Sequence, residues 1–135
     1  DHIKHKNNPS TELEIIKLEK LAKKAYDSDD YSSALNYYLK LSKLDSLNTD
    51  YLIRLAKLET FQQNNTASIK YFKRVLEMNP KDTIALLGIS TVCAKIMDDS
   101  LGSFYIDQYL AMYPNGESGL ILKETFKMIK HYRNQ

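Results

Sequence analysis

Apolar residues recur along most of this chain at intervals of three and four positions. Leu18 and Leu21 show this spacing near the start, and Leu86 and Ile89 show it again in the second half. Such spacing places side chains on one face of an α-helix, whereas a half-buried strand requires strict alternation, which few segments show. Only four glycines and three prolines interrupt the 135 residues. The pattern therefore predicts an all-α protein built from long helices.

Three stretches of the chain align without a gap when they are offset by 34 residues. The middle stretch is SIKYFKRVLEMNPKD at 68–82, with ALNYYLKLSKLDSLN at 34–48 before it and GSFYIDQYLAMYPNG at 102–116 after it. Each opens with a small residue and carries two large residues, four and seven positions later. The aligned residues are Ala34, Ser68 and Gly102, then Tyr38, Phe72 and Ile106, then Leu41, Val75 and Tyr109. One structural unit is therefore predicted to occur three times.

The segment before each stretch follows the same period. A leucine is followed three positions later by another large apolar residue and then at once by a small one. These residues are Leu18, Leu21 and Ala22, then Leu52, Leu55 and Ala56, then Leu86, Ile89 and Ser90. Polar turns at 27–31, 63–66 and 98–100 supply the side-chain oxygens that cap helix starts. Each unit is thus predicted to be two helices joined by a polar turn.

A gapless 34-residue period with this order of residues resembles the tetratricopeptide repeat. The resemblance covers three repeats at 15–48, 49–82 and 83–116. It implies a right-handed solenoid of antiparallel helix hairpins, with about seven helices once a final helix is counted. Neighbouring hairpins are expected to stack, since one hairpin cannot cover its own apolar face. Leu21 and Tyr38 are expected to fill the space inside the first hairpin.

The predicted organisation places the repeats in residues 12–116, between a flexible arm and a cap. The arm spans residues 1–11, and Ser10 or Thr11 is expected to cap the first helix. A C-terminal helix at 117–135 has one apolar and one charged side. A solenoid needs such a capping helix, because its last repeat otherwise exposes an apolar flank.

Candidate catalytic and metal-binding residues are few. His2 and His5 lie in the arm and His131 near the other end, without a third ligand at a fixed distance. The aspartates within 27–30 lack the glycine and the distant carboxylate of a calcium loop. Cys93 falls on an inward helix face with no histidine nearby, so it is interpreted as a buried thiol. We therefore predict no catalytic activity, no bound metal and no cofactor.

Charge and hydropathy argue against nucleic acid and membrane lipid as binding partners. The 19 basic and 17 acidic residues give a formal net charge of +2, which does not indicate nucleic-acid binding. No apolar run approaches the roughly 18 residues that span a bilayer. A mean hydropathy of −0.46 is typical of a soluble protein. Because the chain begins without methionine, we expect a processed or trimmed product, cytoplasmic or, if an upstream signal was removed, periplasmic.

In tetratricopeptide solenoids, the first helices of the repeats line a concave surface that commonly holds an extended peptide. The resemblance implies that the same face binds a peptide here. We predict a line of lysines beside apolar residues that point away from the shared core. The predicted binding residues are Lys23, Tyr26, Ile53, Lys57, Phe61, Ile84, Leu87, Thr91 and Lys95. The capping helix could add Ile121, Thr125 and Met128 to this surface.

Apolar residues on a solvated face suggest a docked apolar peptide or helix, with the lysines facing acidic groups or a carboxylate. Alternatively, the capping helix or the N-terminal arm folds over them. Some family members clamp the terminal carboxylate of heat-shock chaperones through polar side chains. Glu19, Ile84 and Gly88 stand where those polar contacts would be expected, so that particular clamp is not predicted.

The predicted function is a non-catalytic protein–protein interaction module. One setting is a bacterial secretion chaperone or a pilus or secretion assembly factor. Another is an adaptor block within a larger protein. A different class of function is a self-associating structural protein, in which the apolar groove or the flank at Tyr109 forms a homodimer.

Overall fold

The computed structural model describes residues 8–135, and this range contains seven α-helices and no strand. The helices are α1 Pro9–Asp27, α2 Tyr31–Leu44, α3 Thr49–Phe61, α4 Asn65–Met78, α5 Thr83–Lys95, α6 Asp99–Met112 and α7 Glu117–Arg133. Each helix packs against the next, and α5 also packs against α3 and α7. The prediction of an all-α fold with about seven helices is therefore confirmed.

The first helix begins earlier than predicted. Its N-cap is Asn8, whose Oδ1 accepts a hydrogen bond from the backbone N–H of Ser10 at 2.9 Å and a longer one from that of Thr11. Pro9 is favoured at the first helical position because it has no N–H that would be left unbonded. Ser10 and Thr11 are thus helical residues and not caps. Residues 9–11 belong to α1, and the rest of the predicted arm, with His2 and His5, lies outside the described residues except for Asn8.

Two of the three polar turns supply the side-chain caps that their composition predicted, at Asp30 and Asp98, whereas the turn at 63–66 gives α4 no side-chain cap. The links between repeats add further caps. Four side-chain oxygens accept a hydrogen bond from a backbone N–H two or three residues further on, at 2.9–3.3 Å. The capping residues are Asp30, Asn48, Asp82 and Asp98. Because such caps bond amide groups that have no partner inside the helix, they fix where each helix begins.

The turn inside each repeat contains one residue with left-handed backbone. Asp29, Gln63 and Met97 have φ angles of 60°, 65° and 62°, and they are spaced by the same 34-residue period. In each case the next N–H donates to the carbonyl five residues earlier, at 2.8–2.9 Å. This is the Schellman arrangement that ends many helices, usually with glycine at the left-handed position. The three repeats therefore share one turn geometry without sharing a residue type.

We expect Gln63→Gly to raise the free energy of unfolding by about 0.5–1 kcal/mol. Left-handed backbone costs a non-glycine residue about 1–2 kcal/mol, and the greater freedom of glycine in the unfolded chain offsets part of this gain. Urea denaturation measures the change. The control is Gln62→Gly, because Gln62 has a φ of −90° and gains nothing from glycine. A loss of stability in both variants would contradict the assigned turn.

The core passes through all three repeats, but the prediction for Leu21 is wrong. Tyr38 is buried as expected, whereas Leu21 is 45% exposed. The equivalent residues of the next two repeats, Leu55 and Ile89, are fully buried. Each of these two residues lies in a repeat that packs against a preceding repeat, whereas no described helix precedes α1. The same position is therefore core where another described repeat precedes it and exposed in α1, which no described helix precedes.

Two aromatic rings pack directly against a glycine of a neighbouring helix. A Cβ atom added to Gly88 of α5 would lie 2.4 Å from Cζ of Phe72 in α4. One added to Gly102 of α6 would lie 2.2 Å from Cζ of Phe126 in α7. Both rings are almost completely buried. These contacts fix α5 against α4 and α7 against α6, and they position two of the helices that form the site described next.

Candidate functional site: the concave face

The predicted binding residues lie on α1, α3 and α5, the first helices of the three repeats. α3 and α5 are in direct contact, and α5 contacts α7 in turn. α1 and α3 are joined by side chains: the Tyr51 hydroxyl donates to Oε1 of Glu19 at 3.1 Å. Burial, and then the charge of Glu19, raise the pKa of Tyr51. The Tyr51 hydroxyl therefore keeps its proton and remains a hydrogen-bond donor. Together, these contacts connect α1, α3, α5 and α7 in that order.

An aromatic cluster lies where α1 and α3 end. The ring of Phe61 is 6.2 Å from that of Tyr26 and 5.0 Å from that of Tyr31, between centroids. The guanidinium carbon of Arg54 lies 4.7 Å from the Tyr26 ring centroid, a cation–π distance. Tyr31 was not predicted, because it begins α2 and reaches the cluster only through the turn. The predicted residues Tyr26 and Phe61 are thus brought together.

Ile53 is wrongly assigned to the exposed surface. It is 7% exposed and belongs to the core. Helices α2, α4 and α5 all pack against α3, which buries six of its 13 residues. Ile53 is equivalent to Leu87 of the next repeat, which is half-buried and retains some exposed surface. The burial of Ile53 leaves it little surface to offer a partner.

The α1–α3 end of the concave face carries charges of both signs. A cavity of about 360 Å³ between these helices is lined by Lys20, Lys23 and Arg54, with Glu19 and Asp50. Nζ of Lys23 also forms an ion pair with Asp27 at 2.8 Å. The predicted line of lysines is therefore partly neutralised at its first member. Its other two members are Lys57, which is half-buried, and Lys95, which is exposed.

The α5–α7 end is apolar and open. Ile84 is 52% exposed on α5, and Ile121 and Met128 are 60% and 69% exposed on α7. Leu87 is half-buried beside them, and Thr91 is exposed, with its hydroxyl donating to the backbone of α5. The capping helix thus leaves Ile84 uncovered and adds apolar surface of its own. The alternative in which the capping helix folds over the apolar residues is therefore wrong for Ile84 and for Phe61, which is 47% exposed. The alternative in which the N-terminal arm covers them concerns residues that, apart from 8–11, lie outside the described range.

At two positions where the carboxylate clamp of chaperone-binding repeats would need a free polar side chain, this chain has a residue with a different structural role. Glu19 accepts the hydrogen bond from Tyr51. Gly88 has the Phe72 ring against its α-carbon, so a longer side chain there would collide with that ring. Ile84 supplies no polar group at the third position. This geometry does not form the clamp.

The described residues form no cluster of metal-binding side chains, and their one cysteine is buried. Within 8–135, no group of three histidine, cysteine, aspartate or glutamate side chains is placed to hold a metal. Cys93 is fully buried, and burial raises the pKa of its thiol to about 11. A thiol in this setting is protonated and shielded from solvent. In the same range, every helix is too short or too polar to cross a membrane.

Comparison with known proteins shows the fold. No protein-family model matches the sequence, and a search of curated proteins finds no match. Among solved structures, a tetratricopeptide repeat protein from Parabacteroides merdae has a TM-score of 0.83 at 16% identity, covering 95% of this chain and 49% of that one. The Yersinia enterocolitica type III secretion chaperone SycD, in complex with a peptide of the translocator YopD, has a TM-score of 0.77 at 14% identity, covering 93% and 99%. The TPR2B domain of yeast Sti1, in a pHsp70 complex, has a TM-score of 0.72 at 13% identity, covering 89% and 98%.

Proposed function

We propose that this chain, a tetratricopeptide-repeat solenoid, is a non-catalytic interaction module that binds a segment of another protein along its concave face. The observation that supports the proposal is the apolar surface of α5 and α7. Ile84, Ile121 and Met128 are each more than half exposed there, and no described helix covers them. Exposed apolar surface of this kind is typical of a docking site, where a partner removes it from water.

The structurally similar proteins support this class of function without identifying the partner. SycD is solved with a peptide of a translocator and Sti1 TPR2B in a pHsp70 complex, and both share the solenoid fold. SycD matches over nearly its whole length, so we propose a secretion chaperone or a pilus or secretion assembly factor as the first setting. An adaptor block of a larger protein is the second. The proposal includes no nucleic-acid partner, because the concave charges are of both signs.

Charge introduced on the apolar surface should abolish partner binding. We expect Ile84→Asp combined with Ile121→Asp to reduce capture of the partner from extracts of the source cells at least tenfold. Each buried apolar anchor of an interface is typically worth more than 1 kcal/mol, and about 1.4 kcal/mol corresponds to a factor of ten. Circular dichroism of the variant checks that it remains folded, since both side chains are exposed.

The matched control is Phe104→Asp, which places the same charge at a 61% exposed apolar residue of α6. It should leave capture unchanged. If the concave double variant captured as much partner as the wild-type protein, the groove would not be the binding site. The same conclusion would follow if Phe104→Asp alone abolished capture.

A further inference from the structure

Lys57 differs from the other two lysines that were predicted to line the concave face. It is half-buried on α3, the helix that buries six of its 13 residues. Lys23 is exposed and its charge is balanced by Asp27, and Lys95 is exposed as well. Because water screens a half-buried charge less than an exposed one, an opposite charge placed beside Lys57 is attracted more strongly. Lys57 is therefore the lysine that gains most from a bound carboxylate.

No carboxylate of the described chain forms an ion pair with Lys57. It takes part in none of the ion pairs within residues 8–135. Glu59, the nearest acidic residue along α3, accepts a hydrogen bond from the side-chain amide of Asn64 at 3.3 Å. Asp50 lies in the first turn of α3, about 10 Å from Lys57 along the helix axis. The ammonium group of Lys57 is thus available to a carboxylate of another protein.

The groove beyond Lys57 carries no acidic side chain. Helix α5 has the sequence TIALLGISTVCAK, which contains no aspartate or glutamate. On α7, the residues that continue the concave face are Ile121, Thr125 and Met128, all uncharged. Glu124 of the same helix is equivalent to Ser90, which is buried inside its repeat and does not lie on the concave face. A carboxylate bound beside Lys57 therefore meets no acidic side chain on α5 or on the concave face of α7.

The same half of the groove ends in an apolar cavity. Its volume is about 530 Å³, and its lining includes Met97, Met128, Ile129 and Tyr132. Met97 is 51% exposed and lies in the turn between α5 and α6. Flexible methionine side chains adapt to different inserted groups. The cavity is therefore suited to receive a large apolar side chain.

We propose that the partner segment bound by the concave face is both acidic and apolar, with an aspartate or glutamate side chain paired to Lys57. Its large apolar side chains contact Ile84 and Ile121, and one of them enters the cavity beside Met97. Charge complementarity favours this segment over a basic one, which Lys57 would repel. The carboxylate belongs to a side chain, because this face does not form the clamp for a chain end. This inference rests on the proposed function and specifies the chemistry of the partner.

Selection from a displayed peptide library tests the chemistry of the segment. Random short peptides are fused to a phage coat protein through their C-terminal ends, so that every available carboxylate belongs to a side chain. We expect the purified protein to enrich peptides in which aspartate or glutamate accompanies large apolar residues. Failure to enrich an acidic position, or enrichment of basic residues, would overturn the proposal.

Substitution of Lys57 tests its role with the most strongly enriched peptide, synthesised with both ends blocked. Lys57→Gln keeps most of the apolar stem but removes the charge, so the Kd should rise about tenfold. Replacing the acidic residue of the peptide by its amide should have the same effect, and the two changes together should cost little more than either alone. The matched control is Lys40→Gln at an exposed lysine of α2, which should leave the Kd unchanged. Equal effects of the two protein variants would contradict the pairing with Lys57.

The variant Ile84→Asp, measured with the same peptide, separates this inference from the proposed function. We expect both Ile84→Asp and Lys57→Gln to weaken binding. If only Ile84→Asp weakened binding, the concave binding site would stand and the acidic partner would be refuted. If neither variant changed the Kd, the peptide would bind elsewhere, and both proposals would be refuted.

Discussion

Replacement of Phe126 by alanine should lower the free energy of unfolding by about 3–5 kcal/mol, the usual cost of removing a large buried ring. Phe126 is 1% exposed, and its ring lies against Gly102 of α6. Among the buried residues of α7, which are Gly119, Phe126 and Ile129, Phe126 has the largest side chain, so we expect it to contribute most to the packing of the capping helix. Its loss should leave a cavity and expose the apolar flank of the last repeat. Urea denaturation followed by circular dichroism measures the effect.

Met128→Ala provides the matched control for this prediction. Met128 is in the same helix, two residues further on, and is 69% exposed. We expect its replacement to change stability by no more than about 0.5 kcal/mol. Similar losses in the two variants would mean that α7 is not held through the Phe126 face, and the packing described for the cap would be incorrect.

Gly88→Ala should destabilise the protein by about 1–3 kcal/mol, the usual cost of overpacking. In an open helix the same change would stabilise by roughly 1 kcal/mol, because alanine is the better helix former. The sign is expected to reverse here, since the new Cβ atom would lie 2.4 Å from Cζ of Phe72. Thermal or urea unfolding reports the sign directly.

A second substitution distinguishes overpacking from other effects. Phe72→Leu removes the ring edge, so Gly88→Ala should cost less in that background than in the wild-type protein. Thr91→Ala, at an exposed position of the same helix, controls for helix propensity and should cost little. A stabilising effect of Gly88→Ala in the wild-type background would contradict the close contact of α4 and α5.

Much of the fold was predictable from the sequence because each position of one repeat has an equivalent position in the other two. The small and large residues that align at 34-residue spacing fixed the helices, their order and most of the core. Leu21 shows where this reasoning stops. Its type matches Leu55 and Ile89, yet its burial depends on a preceding repeat, which its own local sequence does not reveal. The left-handed backbone conformation of Gln63 could not be predicted from the sequence either, because glycine, which usually indicates it, is absent.

The concave face was predicted less completely. Ile84 and Leu87 retain exposed surface as the period suggested, but Ile53, at the same position as Leu87, is buried. Periodicity assigns a side chain to a face, whereas burial depends on how closely the neighbouring helices pack there. The sequence analysis did not single out Tyr132 and Met97, for a related reason. These two residues line one cavity because the turn between α5 and α6 lies beside the end of α7.

Site-specific photo-crosslinking can detect whether the concave face contacts a partner protein in the cell. A photoreactive amino acid is placed at Ile84 on the concave face or at Phe104 on α6, two exposed positions of similar apolar character. After irradiation in the source cells, we expect a crosslinked partner from position 84 and none from position 104. Crosslinking to the same partner from position 104, with none from position 84, would contradict this expectation.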